Sequence, residues 1–201
     1  MFDSFLRPIV DPPLNALGVA VAQTGVSANA LTVSGAVAAT GAAVAIAHGS
    51  FGIGLGLIAL SRLCDGLDGA VARVTKPTDF GGYLDILCDY IFYAAIPVGF
   101  ALADPANLLP ALILLGSFIL SSVSFLGYAA LAEKRGLKTQ AQGKKSFYYM
   151  AGLAEGFETI FVFALSCLMP GLFPVIAYAF SAMCIATALG RAIQARIAFR
   201  D

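Results

Sequence analysis

Apolar residues in this chain do not alternate with polar ones; they run on for many positions and stop at short clusters of Pro, Gly or charge. Six such runs occupy 30–47, 51–73, 81–103, 108–132, 148–168 and 173–197. A helix needs roughly 20 apolar residues to cross about 30 Å of hydrocarbon, so the pattern predicts an all-α membrane protein with six transmembrane helices. His48-Gly49-Ser50, Asp104-Pro105-Ala106-Asn107 and Pro170-Gly171 make short turns on one side, and the longer polar connections lie on the other.

Before the first run, residues 1–28 mix Phe, Leu and Val with a few charges, which suits a helix lying along the membrane interface, interrupted at Pro12 and Pro13. Asn29 and Thr32 are the candidate caps of the first span, with Asn29 the expected start signal. The N-terminus lacks a basic start followed by a clean apolar run, so it does not read as a cleaved signal peptide. No internal repeat appears, and 1–201 reads as a single domain with its membrane core at 30–197.

Composition supports this reading: 59% of the 201 residues are hydrophobic and 12% are charged, more apolar than a soluble core can hide. Zero formal net charge removes the broad basic footprint that nucleic-acid binding needs. The four cysteines, Cys64, Cys88, Cys167 and Cys184, lie inside apolar stretches without zinc-type spacing and are expected to pack as small apolar residues. Basic residues set the orientation. Arg7, Arg73, Lys76, the basic run across 134–145, Arg191, Arg196 and Arg200 all fall on the side shared by the termini, and the opposite turns hold none. Both termini are therefore expected to be cytoplasmic, in the cell membrane, with the basic run near anionic headgroups.

The chemistry concentrates at the ends of the second and third runs. Asp65 and Asp68 stand three apart, and Asp85 and Asp89 four apart, so each pair shares one helix face. Antiparallel neighbours joined through Pro77 can bring the two faces together. Each carboxylate at membrane depth costs on the order of 3 kcal/mol, roughly 10 for four, and mutual repulsion adds to that. Arg73 is the only basic residue inside the motif helix segment, and Arg62, one turn earlier, is expected on a different face. Two divalent cations would offset the charge, and hard carboxylate oxygens favour Mg²⁺ or Mn²⁺. Paired ions are also what displacement at phosphorus uses. Gly66, Gly69, Gly81 and Gly82 around the acids allow close helix approach or access of a phosphate to backbone.

The stretch resembles the signature of the CDP-alcohol phosphatidyltransferase family, Asp-x-x-Asp-Gly-x-x-Ala-Arg, a spacer, then Gly-x-x-x-Asp-x-x-x-Asp. Asp65, Asp68, Gly69, Ala72, Arg73, Gly81, Asp85 and Asp89 fill every named position. The spacer from Val74 to Phe80 is one residue shorter than the family's usual eight, a change confined to the turn. The resemblance extends to the N-terminal helix and six spans. It implies that Asp65, Asp68, Asp85 and Asp89 bind metal, that Asp89 is also the general base, and that Asp68, Gly69, Ala72 and Arg73 contact CDP. The implied reaction moves a phosphatidyl group from a CDP-linked lipid, CDP-diacylglycerol in the first instance, onto a small alcohol with release of CMP. Homodimers are common in the family.

Glu155 and Glu158, with Lys144, Lys145 and Arg191, are the candidate acceptor pocket. Gly156 and Thr159 stand where inositol phosphate-using relatives carry Arg, which points away from a phosphorylated acceptor. Two carboxylates suit a cationic or hydroxyl-rich alcohol instead, or else pair structurally with the nearby basic residues. Two other functions are open at this point: a choline- or ethanolamine-type phosphotransferase acting on a lipid acceptor, and an ion-coupled transporter. A transporter would spread its acids near the midplane of several spans.

Overall fold

The computed structural model describes residues 3–136 and 154–199. Seven α-helices account for nearly all of them: α1 (Asp3–Gln23), α2 (Ala28–Ala47), α3 (Phe51–Val74), α4 (Asp79–Ala103), α5 (Leu108–Lys134), α6 (Gly156–Leu168) and α7 (Phe173–Ala198). Short 3₁₀ turns at Pro105–Asn107 and Pro170–Leu172 lead into α5 and α7. Among the described residues there is no strand.

Local chemistry sets the helix ends. Ser27, in extended conformation, accepts a hydrogen bond from the Ala30 amide and starts α2. The start signal is therefore Ser27, and Asn29 lies inside the helix; Thr32 uses its hydroxyl elsewhere. Gly49 ends α2 at φ +75°, where its amide reaches Ile46 O and that of Ser50 reaches Ala45 O. This paired closure needs a left-handed residue, which glycine supplies without strain. Thr78 caps α4 by accepting from the Gly81 amide at 3.0 Å.

Two further expectations need correction. Pro12 and Pro13 do not interrupt α1, which runs unbroken from residue 3 to 23. Each proline removes one backbone bond, but this part of α1 is exposed, so water can satisfy the freed carbonyls and the helix continues. The fifth run does not reach its helix through Ala154 and Glu155. The Ala154 amide donates to Thr187 Oγ1 of α7, Glu155 is extended, and α6 begins at Gly156. Residues 148–153, the rest of that expected helix, lie outside the described residues.

Helix α2 is the keystone of the fold. Its alanine-rich surface packs against both α3 and α4, whereas α3 and α4 have little close backbone approach to each other. The Gly99 position of α4 meets the Ala43 backbone of α2 so closely that a Cβ there would lie 2.6 Å from its carbonyl oxygen. Such approach is how membrane helices gain packing energy when lipid supplies no hydrophobic drive. α5 packs on α7 and α4, α6 on α3, and α1 on α3. Aromatic rings fill the centre: Phe100 stacks on Phe173 at 4.3 Å, and Phe92 meets Phe163 edge-on at 5.4 Å.

Large apolar side chains cover the outside, among them Val37, Leu102, Ile119 and Val175. Four segments are long and apolar enough to cross a membrane: Ala28–Ala47, Asp79–Ala103, Pro105–Lys134 and Pro170–Ala198. α3 has the length but carries Arg62, Asp65, Asp68 and Arg73, and α6 has 13 residues.

Candidate active site

The last turns of α3 and the first half of α4 hold the acids. Helical spacing of three aligns Asp65 with Asp68, and α4 presents Asp85 from across the cleft. One oxygen from each of these three carboxylates lies within 4.8 Å of the other two. Asp68 is buried, and Thr32 Oγ1 of α2 donates to its Oδ2. Thr32 Oγ1 also lies 3.0 Å from Ala28 O, so its position is fixed by the helix that seats both α3 and α4.

Asp89 stands apart from this triad. Its Oδ1 accepts from Arg62 Nη1 at 2.8 Å, and the same nitrogen lies 3.6 Å from Asp65 Oδ2. The expectation that Arg62 points to another face is thus corrected. It precedes Asp65 by three positions, the spacing that places side chains on one face, and its long arm crosses to α4.

Three carboxylates at this spacing repel one another by about 3 kcal/mol per pair at an effective dielectric near 20. A single guanidinium leaves that set net negative. Compact, all-oxygen and negatively charged, it fits a hard divalent cation such as Mg²⁺ or Mn²⁺.

Arg73 reaches across to α1. Its Nε and Nη2 donate to Asn15 Oδ1 at 3.2 and 2.8 Å, leaving Nη1 beside Gly69, where a Cβ would sit 3.3 Å from it. α1 lies directly on the motif: a Cβ at Gly66 would come within 2.9 Å of Leu14 Cδ1, and Gly18 packs on Ala70. Ala72 is half-buried on the same helix. All four cysteines are free, and Cys88, Cys167 and Cys184 are buried.

Of the candidate acceptor residues, Glu158 is buried in the first turn of α6, and Glu155 precedes that helix. Arg191 Nη1 donates to Ser121 O at 3.1 Å and lies 3.3 Å from Ser121 Oγ, with Phe125 under the guanidinium at 5.4 Å. Glu155 is near enough to interact with it electrostatically. Lys144 and Lys145 lie outside the described residues. Thr32, Arg62 and Asn15 are the contacts that sequence reasoning passed over. Only Arg62 carried a local signal, its spacing from Asp65.

Known proteins share this chain's pattern. It is 42% identical over 192 residues to inner membrane protein YnjF of Escherichia coli (strain K12), covering 95% of this chain and 93% of that protein. It is 31% identical over 162 residues to archaetidylinositol phosphate synthase of Methanothermobacter thermautotrophicus, 80% and 72% of the two chains. The fold matches that of Mycobacterium tuberculosis phosphatidylinositol phosphate synthase with CDP-DAG bound, at a TM-score of 0.70 and 22% identity over 91% of this chain and 93% of that one. The same enzyme in complex with manganese and citrate gives 0.68 at 22% identity, covering 90% and 88%. With four long apolar helices and an inner-membrane relative, the protein is a multi-pass membrane protein. The CDP-alcohol phosphatidyltransferase family model matches residues 25–190, and the chain belongs to that family.

Proposed function

We propose that this enzyme transfers a phosphatidyl group from CDP-diacylglycerol to a small hydroxyl-rich alcohol, releasing CMP, with two divalent ions bound among Asp65, Asp68, Asp85 and Asp89. The observation that carries the reading is the convergence of Asp65, Asp68 and Asp85 within 4.8 Å. When bound, such ions neutralise the pyrophosphate and hold the attacking and leaving oxygens. Mg²⁺ and Mn²⁺ both suit these ligands, and the manganese complex of the mycobacterial relative supports trying Mn²⁺ first.

The chain's own residues do the rest. Asp68, Gly69, Ala72 and Arg73 line the nucleotide side, with Arg73 Nη1 directed past the side-chain-free Gly69 toward a phosphate. The acceptor hydroxyl attacks the lipid-linked phosphorus, and the bond to the CMP oxygen breaks. Asp89, whose Oδ1 is engaged by Arg62, takes the hydroxyl proton on Oδ2. Glu155 and Glu158 accept hydrogen bonds from further hydroxyls, with Arg191 at the border of that pocket. The archaeal relative named for an inositol phosphate product supports a polyol acceptor, and Gly156 and Thr159 in place of Arg favour its unphosphorylated form.

In this reading α2 to α7 are six spans, α1 lies at the interface, and the site and both termini face the cytoplasm, within one domain that forms a homodimer. Purified protein incubated with CDP-diacylglycerol and a pool of inositol, inositol phosphate, glycerol 3-phosphate, serine and choline is expected to yield a polyol phospholipid by mass spectrometry. A choline or serine lipid as the sole product contradicts the acceptor assignment, and the absence of any new phospholipid contradicts the activity.

The Asn15 bond to Arg73 gives a separate prediction. Asn15→Ala frees the Arg73 fork and is expected to raise KM for the CDP-linked lipid about five- to tenfold, the net worth of a typical hydrogen bond, with kcat little changed. Asn15→Asp keeps the acceptor and is expected to restore it. Steady-state kinetics of CMP release checks both, and an unchanged KM in Asn15→Ala contradicts the orientation assigned to Arg73.

A further inference from the structure

Arg62 is a charged side chain in the apolar half of α3 that the reaction as described does not require for binding either substrate. Four contacts define it. Nη1 spans Asp89 Oδ1 at 2.8 Å and Asp65 Oδ2 at 3.6 Å, Nη2 donates to Ser61 Oγ at 3.2 Å, and the guanidinium carbon lies 3.9 Å from the ring centre of Phe92. The side chain is 13% exposed, and Nε is buried without a hydrogen-bond partner. Ser61 and Phe92 are themselves fully buried, so the guanidinium is clamped between a ring and a hydroxyl. Its orientation is already fixed before any ligand arrives.

The position of this cation has a direct electrostatic consequence. It bridges the one acid outside the triad to one acid inside it, so it holds Asp89 on the Arg62 side of the cleft. A second divalent ion that draws on Asp89 and Asp65 must then approach a fixed positive charge and compete for the same two carboxylates. The ion held by the triad alone meets that charge only at Asp65.

We propose that Arg62 is a positioning residue that acts as the site's internal counter-ion, aiming Asp89 and weakening the hold of the Asp89 side on its divalent ion. The proposal rests on the metal assignment above.

The test is a Mn²⁺ titration of the detergent-solubilised full-length protein, followed by the free-Mn²⁺ electron paramagnetic resonance signal. Arg62→Met keeps the packing on Phe92 and removes the charge. It is expected to tighten the weaker of two Mn²⁺ sites by at least about tenfold, since it deletes a positive charge that lies 2.8 and 3.6 Å from two of the ligand oxygens. It is also expected to lower kcat for CMP release while KM for the CDP-linked lipid stays within about twofold, since Asp89 loses its aim. Damage to the fold weakens metal binding, so tightening cannot arise from a merely structural loss. Arg62→Lys keeps a point charge but not the fork, and is expected to tighten the same site about threefold.

Unchanged or weaker Mn²⁺ binding in Arg62→Met, or in Arg62→Lys if the Met variant does not fold, overturns the proposal. Asp85→Asn in the same titration separates the two levels of inference. Loss of Mn²⁺ binding there upholds the metal assignment whatever Arg62 does, and retention of both ions overturns the assignment and the proposal with it.

Discussion

Asp85→Asn is expected to lower CMP release on the order of 10³-fold, the scale seen when a preorganised charge contact at a reacting centre is deleted. Asn keeps the volume and one oxygen of the side chain but not its charge. The triad of Asp65, Asp68 and Asp85 then falls to two carboxylates, too few to hold an ion against the competition of Arg62. The same change relieves repulsion between acids lying within 4.8 Å of one another. In EDTA the variant is therefore expected to unfold at the same temperature as the parent protein or higher. Added Mn²⁺, which raises the unfolding temperature of the parent by binding only the folded state, is expected to leave that of the variant unmoved. Loss of activity with an intact fold and no Mn²⁺ response is the combination that identifies a metal ligand. A variant that unfolds early in EDTA would instead make Asp85 a structural residue.

The second large effect lies away from the chemistry. Gly99→Val is expected to destabilise the protein by about 3 kcal/mol, the upper part of the usual overpacking range, and to lower its unfolding temperature by about 6 to 12 °C. A Cβ at Gly99 would meet three backbone atoms of Ala43, at 2.6, 2.9 and 3.1 Å, and a helix backbone cannot rotate away as a side chain can. The displaced element would be α2, which carries Thr32 against Asp68 and lies on both α3 and α4. Activity is expected to fall with stability for that reason. Gly116→Ala in α5 is the control. Nothing lies within 4 Å of a Cβ there, and its effect is expected to be neutral or stabilising by up to about 1 kcal/mol. Equal thermal behaviour of the two variants would contradict the role given to the α2 and α4 contact.

What the sequence made legible, and what it did not, follows from the range of the forces involved. Apolar runs and their turns are local signals, and apart from the start of α6 the helices begin and end close to them, with His48-Gly49-Ser50 closing α2 as a turn should. The acids were legible because two pairs at helical spacing each fix a face without tertiary information. Ser27 rather than Asn29 caps α2 because the cap is decided by which residue is extended, and several polar candidates within a few positions leave that choice to the backbone. Thr32 meets Asp68 across 36 positions, and Asn15 meets Arg73 across 58, contacts set by helix packing that no local pattern encodes. Arg62 is a different case. Its spacing from Asp65 was visible, but the reach of its side chain to Asp89 on α4 depends on how α2 holds the two helices apart. The division of four acids into a triad and one arginine-bound carboxylate is therefore a property of the fold.

The central claim is that the acids on α3 and α4 hold metal for breaking a CDP-linked phosphoanhydride. Its most direct test is CMP release by the purified protein from CDP-diacylglycerol with a mixture of small alcohols, assayed in Mn²⁺, in Mg²⁺ and in EDTA. Release that needs an added divalent ion, stops in EDTA and returns when Mn²⁺ is restored is the predicted result. CMP release that continues undiminished in EDTA would contradict it.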